Sequence, residues 1–157
     1  MSLPPIVSFR GPNFFLSNFY PCPVWFSNND RGEVLYPSAE HAFQASKAWT
    51  IADWNYIRKA TSAAEAKRRG NQITPIDIWE DVKVETMLNI LRAKFSIRSP
   101  AGGGTNPRAV WLLETGSREL IEGNDWGDVF WGQCPLGNGK NMLGELLMQV
   151  RREIGGA

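Results

Sequence analysis

The stretch Asp77-Ile78-Trp79-Glu80-Asp81-Val82-Lys83-Val84-Glu85-Thr86-Met87-Leu88-Asn89-Ile90-Leu91-Arg92-Ala93-Lys94-Phe95 decides the class of fold. Its Val84, Met87, Leu88, Leu91 and Phe95 recur at spacings of three and four, which is one apolar stripe on a helix. Asp77, with Glu80 three residues on, reads as an N-terminal cap, so the pattern predicts a long helix over about 78–95. Upstream, Ser62 and Glu65 repeat the cap signature and Gly70 reads as a stop, predicting a helix over 62–70. A helix over about 51–59 precedes it. Ser38 N-caps another over about 38–49, with Glu40 in its first turn, where a carboxylate meets the positive end of the helix dipole. Downstream, Ala101-Gly102-Gly103-Gly104 is a loop, and Asn106-Pro107 restarts a short helix that ends at Gly116. Leu143, Leu146, Leu147, Val150 and Ile154 line a last helix over about 141–154.

The first 37 residues are rich in proline, asparagine and aromatics, a composition for short strands and turns. Asn28-Asn29-Asp30-Arg31-Gly32 reads as a hairpin turn between Val24-Trp25-Phe26 and Val34-Leu35-Tyr36. Two more short strands are expected over 119–122 and 129–131. The class is therefore α+β, predominantly helical, with short N-terminal and C-terminal β-hairpin elements. No repeat and no long linker divides the chain, and 157 residues is about one domain's length.

Composition excludes several functions. With 43% hydrophobic residues the chain can bury a sizeable core, which excludes a disordered tail. Seventeen basic against sixteen acidic residues leave a formal charge of +1, too little for sequence-blind coating of nucleic acid, though enough for a local phosphate pocket. No apolar run approaches the roughly 18 residues of a membrane helix, and no basic segment leads into an apolar one at the start. A cytoplasmic protein with no membrane partner is expected. Cys22 and Cys134 show no CxxC spacing, and His41 is the single histidine, so zinc clusters of several His and Cys residues cannot be assembled. No metal and no cofactor is expected, and chemistry falls to carboxylates, lysines and aromatics.

Four places can carry that chemistry. On the helix after Pro37, Glu40, Gln44 and Lys47 fall on one narrow face, with Ala42, Ala45 and Trp49 on the opposite side. Glu40 and Lys47 are roughly 10 Å apart along the axis, so both can reach a ligand lying on that face. From spacing alone a solvated polar face is the commoner arrangement. The segment Glu122-Gly123-Asn124-Asp125-Trp126-Gly127-Asp128-Val129-Phe130-Trp131-Gly132 combines carboxylates, tryptophans and glycines. Its glycines let backbone approach a ligand, its tryptophans offer faces to a base, and its carboxylates move protons or oppose charge. Tight turns use the same residues. Trp79 and Lys83 share an edge of the long helix and suit a base and a phosphate, although a core tryptophan beside a surface lysine is the plainer reading. Gly137-Asn138-Gly139-Lys140-Asn141 opens the last helix, where glycines, a lysine and free N–H groups suit an anion. It lacks the spacing of a Walker loop.

Together these motifs resemble the YbiA-like family, also called NADAR. The resemblance rests on Phe15-Leu16-Ser17-Asn18-Phe19 and on Tyr36-Pro37-Ser38-Ala39-Glu40-His41-Ala42-Phe43-Gln44-Ala45-Ser46-Lys47. It continues through Ala64-Glu65-Ala66-Lys67-Arg68-Arg69-Gly70, Trp79-Glu80-Asp81-Val82-Lys83, Leu91-Arg92-Ala93-Lys94-Phe95, Leu113-Glu114-Thr115-Gly116, Trp131-Gly132 and Gly139-Lys140-Asn141-Met142-Leu143-Gly144. It covers nearly the whole chain and implies one domain of this family over 1–157. It also implies an N-glycosidase acting on a phosphoribosyl or ADP-ribosyl substrate. That substrate is either an early phosphoribosylamino-pyrimidine of riboflavin synthesis or ADP-ribose on a base such as guanine in nucleic acid.

The resemblance places the family's motif glutamate on Glu40, its helix lysine on Lys47 and its tryptophan on Trp79. Glu40, Lys47 and Asp128 are the catalytic candidates. Arg10, Lys83 and Lys140 are cations suited to phosphates, and Asn18, Trp79, Asn124, Trp126 and Trp131 are the further candidates for substrate contact. Asp128 through Gly132 matches the family's Asp-x-x-Trp-Gly, while Trp126-Gly127 offers a second Trp-Gly, so either Trp126 or Trp131 stacks on the base. Where some relatives carry an Asp two residues after the motif tryptophan, this chain has Gln133. Cleavage builds positive charge on ribose C1. One of Glu40 and Asp128 would oppose that charge and the other move protons, while a Lys47 amine of lowered pKa would offer a Schiff-base route. The competing class is a nucleotide-binding sensor that does not turn over.

Overall fold

The computed structural model describes residues 2–28, 31–99 and 102–156. Asn29 and Asp30 of the expected hairpin turn, and Ala101 of the glycine loop, lie outside them. The chain packs as two units, Asn18–Lys94 and Met1–Ser17 with Phe95–Ala157.

In the first unit, β1 (Val24–Ser27) and β2 (Glu33–Tyr36) pair antiparallel, with Val24 opposite Tyr36 and Trp25 opposite Leu35. The pleat buries the first pair and exposes the second. Four helices follow: α1 (Ala39–Ala45), α2 (Ile51–Arg58), α3 (Ala63–Gly70) and α4 (Trp79–Lys94). The last three match the expected spans to within a residue or two. The stripe on α4 is buried at Met87, Leu91 and Phe95, joined by Ile90.

Every residue of α1 is buried, and α2, α3 and α4 all pack on it. Ala39, Ala42 and Ala45 make this possible, since small side chains let neighbouring helices come close. Ser38 Oγ caps α1 by accepting the His41 N–H at 3.2 Å, as expected. The helix stops at Ala45, four residues short of the expected Trp49. Ser46 turns its hydroxyl back onto the Ala42 carbonyl, at 2.7 Å, and the Lys47 and Ala48 N–H groups tighten onto Gln44 and Ala45. The chain beyond is then drawn away: Ala48 pairs with Pro75, and Ile76 N–H donates to the Lys47 carbonyl at 2.9 Å. Trp49, expected on the apolar side of the helix, is instead 72% exposed.

The single histidine is a structural clamp. His41 Nε2 donates to the Ala60 carbonyl at 2.9 Å, which leaves Nδ1 to accept from the Ser38 hydroxyl at 2.7 Å. Burial lowers its pKa from the ordinary 6.5, against smaller upward pulls from the Ala60 carbonyl and Glu65. The unfolded chain therefore binds a proton below about pH 6.5 that the folded chain resists. Stability is fully present above that pH and should decline as pH falls from there to the lowered folded value, by at most about 1.4 kcal/mol per pH unit. Thermal melts of wild type and His41→Gln between pH 5 and 8 test this, and the variant should lose the His-linked slope. A slope of equal size in the variant would refute the assignment.

In the second unit a 3-10 helix, Gly11–Leu16, lays Phe15 edge-on against Trp111 at 5.7 Å. Trp111 belongs to α5 (Pro107–Glu114), which Asn106 caps by accepting the Arg108 N–H. It packs on α6 (Met142–Gly155), whose Leu143, Leu146, Leu147 and Val150 are buried as the stripe predicted. The strands expected over 119–122 and 129–131 do not form; isolated parallel bridges Ile6–Leu120 and Gly123–Gln133 stand in their place. Local side chains have taken the ladder's hydrogen bonds. Asp128 Oδ1 accepts the Phe130 and Trp131 N–H groups at 3.1 and 2.9 Å, and Asn124 bonds both backbone groups of Asp128.

Candidate functional site

The residues selected by sequence fall into two groups, one in each unit. Asn18, Glu40, Lys47, Trp79 and Lys83 belong to the helical unit. Arg10, Asn124, Trp126, Asp128, Trp131 and Lys140 belong to the other.

In the helical unit, Glu40 sits in the first turn of α1 and is only 6% exposed. The expected solvated polar face is thus wrong. Packing of α2, α3 and α4 around α1 leaves it no solvent side. Glu40 N–H donates to the Asn18 carbonyl at 3.0 Å, and Glu40 Oε1 accepts from Gln44 Nε2 at 2.7 Å. Lys47 lies two residues beyond α1, half-buried, with Nζ 6.0 Å from the centre of the Phe43 ring. Burial lowers its pKa below the ordinary 10.5. Glu40 and Glu80 pull it back up, while Lys67 and Lys83 push it down. Lys67 is part of this electrostatic setting, although the sequence reading gave it no role. It projects from α3 toward Phe19, 5.8 Å from the ring centre, so its position was set by helix packing and not by any local motif.

The remaining members are corrections to their expected roles. Trp79 is 5% exposed and lies 5.0 Å from the Phe43 ring, so it has no open face for a base and instead backs the wall beside Lys47. Lys83 forms an ion pair with Glu80 one turn earlier, so a phosphate would have to displace a carboxylate. Asn18 is buried, with Nδ2 on the Met87 sulfur at 3.3 Å and Oδ1 without a hydrogen-bond partner among the described residues.

In the other unit the Trp-Gly segment is a self-braced loop. Asn124 spends its side-chain amide on Asp128, and Asp128 spends Oδ1 on the two N–H groups beyond it. The two residues expected to contact substrate and move protons, Asn124 and Asp128, thus also organise the loop that carries Trp131. Two of its three glycines approach this protein's own backbone: a Cβ at Gly132 would fall 2.3 Å from the Glu122 carbonyl oxygen, and one at Gly123 2.1 Å from that of Val7, while Gly127 takes a left-handed φ of 85° in open space. Trp131 is half-buried with Phe130 edge-on at 4.9 Å, whereas Trp126 is 55% exposed with the Arg10 guanidinium 5.6 Å from its ring centre. Arg10 also lines a cleft of about 550 Å³ with Asn124, Asp125, Gln133 and Cys134.

The anion site expected at the start of α6 is filled by the protein itself. The N–H groups of Lys140, Asn141, Met142 and Leu143 donate to the carbonyls of Val129, Gly132, Phe130 and Trp131. Asn141 takes a left-handed φ of 49° and bonds Glu122 N–H and the Leu120 carbonyl through its side chain. Lys140 Nζ rests 5.3 Å from the Phe130 ring. No cluster of His, Cys, Asp or Glu among the described residues could hold a metal, and no described helix is long and apolar enough to cross a membrane.

With this fold and these residues in view, comparison with known proteins shows that the chain belongs to the NADAR family. The model of the NADAR domain matches residues 8–155. The chain is 36% identical over 140 residues to N-glycosidase YbiA of Escherichia coli K12, covering 88% of this chain and 79% of that protein. It is 38% identical over 142 residues to a riboflavin biosynthesis protein of Vibrio vulnificus, covering 89% of this chain but only 35% of that one. The NMR structure of Escherichia coli YbiA shares the fold with a TM-score of 0.77 and 31% identity, over 96% of this chain and 85% of the other.

Proposed function

We propose that this chain is an N-glycosidase that hydrolyses the bond between a phosphate-bearing ribose and a nucleobase-like amine, and that its substrates are phosphoribosylamino-pyrimidine intermediates of riboflavin biosynthesis. Family membership and the names of the relatives support the N-glycosidase class. The observation that carries the reading is the buried Glu40 carboxylate, held by Gln44, in the same charge cluster as a lysine whose pKa burial has lowered. A binding module does not need a desolvated amine and an oriented carboxylate in one charge cluster; bond cleavage has a use for both.

As the C1–N bond breaks, its electron pair leaves with the base and positive charge develops at C1. Glu40, desolvated and fixed in direction, opposes that charge, takes the proton of the attacking water and passes it to the departing nitrogen. Lys47, whose pKa is lowered chiefly by burial, offers the second route. Its amine adds to C1 of the opened sugar, the base departs with a proton, and water hydrolyses the resulting imine. Within the other unit, taken by itself, the Arg10 fork suits a phosphate and Trp126, the more open of its two motif tryptophans, suits the face of a base. Asp128 holds the loop. The near-neutral chain favours a small molecule over a nucleic acid.

The test is release of free base by purified protein, followed by chromatography, from a phosphoribosylamino-pyrimidine and from ADP-ribosylated guanine in DNA. Release from the first alone is the expected result. Release from the second alone would move the substrate to ADP-ribosylated nucleic acid, and tight binding with no release from either would make the protein a sensor. Borohydride trapping then separates the routes, because a covalent adduct at Lys47 forms only through the imine.

A further inference from the structure

We propose that Gly70 and Gln44 are a positioning pair for the Glu40 carboxylate, with α3 giving way at Gly70 so that the Gln44 amide lies against it and aims Nε2 at Glu40. Gly70 is the last residue of α3, and its φ is not positive, so backbone conformation does not call for glycine there. The helix stops at Gly70 as the sequence predicts, but it is Asn71, in the right-handed region, that caps it, so Gly70 is not there to supply a left-handed cap. What the position requires is space. A Cβ on residue 70 would fall 2.0 Å from Gln44 Oε1, 2.8 Å from Cδ and 3.0 Å from Cβ, so the whole amide would have to move.

Gln44 cannot move without consequence. It is 3% exposed, and its Nε2 makes the 2.7 Å bond to Glu40 Oε1. Rotating the amide by half a turn would set two oxygens against each other. Its Oε1 has no hydrogen-bond partner among the described residues, a cost the fold accepts in order to keep Nε2 on the carboxylate. Glycine is also the poorest helix former after proline. Two local costs, in two helices, serve one bond to Glu40.

The kinetic part of this inference rests on the N-glycosidase reading; the structural part does not. The experiment compares wild type, Gly70→Ala, Gln44→Ala and the double variant. Each single change is expected to lower kcat about tenfold at nearly unchanged KM. Each should also move the acidic limb of the pH profile upward, since a carboxylate that loses a donor is more easily protonated. The charged groups around the Glu40–Lys47 pair, Lys67 from α3 and Glu80 and Lys83 from α4, are untouched by these changes. The double variant should be no slower than Gln44→Ala, because both substitutions remove the same bond. Gly70→Ala should lower the melting temperature of wild type, and lower it less in the Gln44→Ala background, where the amide is gone and only the 3.0 Å approach of the two Cβ atoms remains. Wild-type kcat with an unmoved limb in Gly70→Ala, or losses that multiply in the double variant, would overturn the proposal. Carbon-13 titration of the Glu40 carboxyl without substrate separates the two readings. An upward shift in both single variants of a protein that releases no base keeps the positioning pair and discards the hydrolase. An unmoved carboxyl in an active enzyme discards the pair.

Discussion

Glu40→Gln is expected to lower base release by about a thousandfold while leaving the melting temperature nearly where it was. The new amide is the same size and still presents an oxygen to Gln44 Nε2, so the 2.7 Å bond and the packing of α1 survive. What is lost is the negative charge opposite C1 and the base for water. Removing a buried carboxylate from a site this closed costs little stability, because its desolvation penalty goes with it. Base release and a thermal melt on the same preparation decide the matter. A collapse of the melt together with activity would make Glu40 a folding residue, and full activity would remove it from the reaction.

Lys47→Met should abolish turnover to a similar extent and, unlike most substitutions, should stabilise the fold. The lysine's pKa is lowered chiefly by burial, so the folded chain resists a proton that the unfolded chain binds up to about pH 10.5. The ammonium therefore destabilises the native state at neutral pH, and wild-type stability should climb as pH rises from the lowered folded value toward 10.5. Methionine keeps the contact with Phe43 and removes the charge. The variant's melting temperature should exceed wild type at pH 7, and the two should converge near pH 10. A less stable variant at pH 7 would mean that the attraction of Glu40 and Glu80 outweighs burial, and that the amine is not primed.

Much of the helical frame was legible in the sequence. Ser38, Ser62 and Asn106 cap the helices they were expected to cap, because a cap is a contact between residues two or three apart. The stripes on α4 and α6 lie inward because apolar spacing has no other way to leave water. Where reading failed, it failed in a consistent way. The end of α1 depended on Pro75 and Ile76, about thirty residues downstream. The missing strand over 129–131 depended on Asp128 taking backbone bonds for itself, the one over 119–122 on Ile6 and the Asn141 side chain meeting its backbone, and the missing anion site on carbonyls of residues 129–132 reaching the start of α6 first.

The same division holds for the site. Motif and residue type alone determined the family and brought Glu40 and Lys47 forward, since cleavage of a glycosidic bond needs a carboxylate and the motif carries one. Only tertiary structure decided what those residues are. Spacing on a helix says which side chains share a face, but not whether that face meets water. Here three other helices close over α1, turning a polar stripe into a buried carboxylate and a half-buried amine. The same packing took Trp79 out of reach of a base and gave Gly70 its reason to be glycine. Burial is a sum over contacts distant in sequence, and desolvation, the largest influence on the pKa of Lys47, follows from burial.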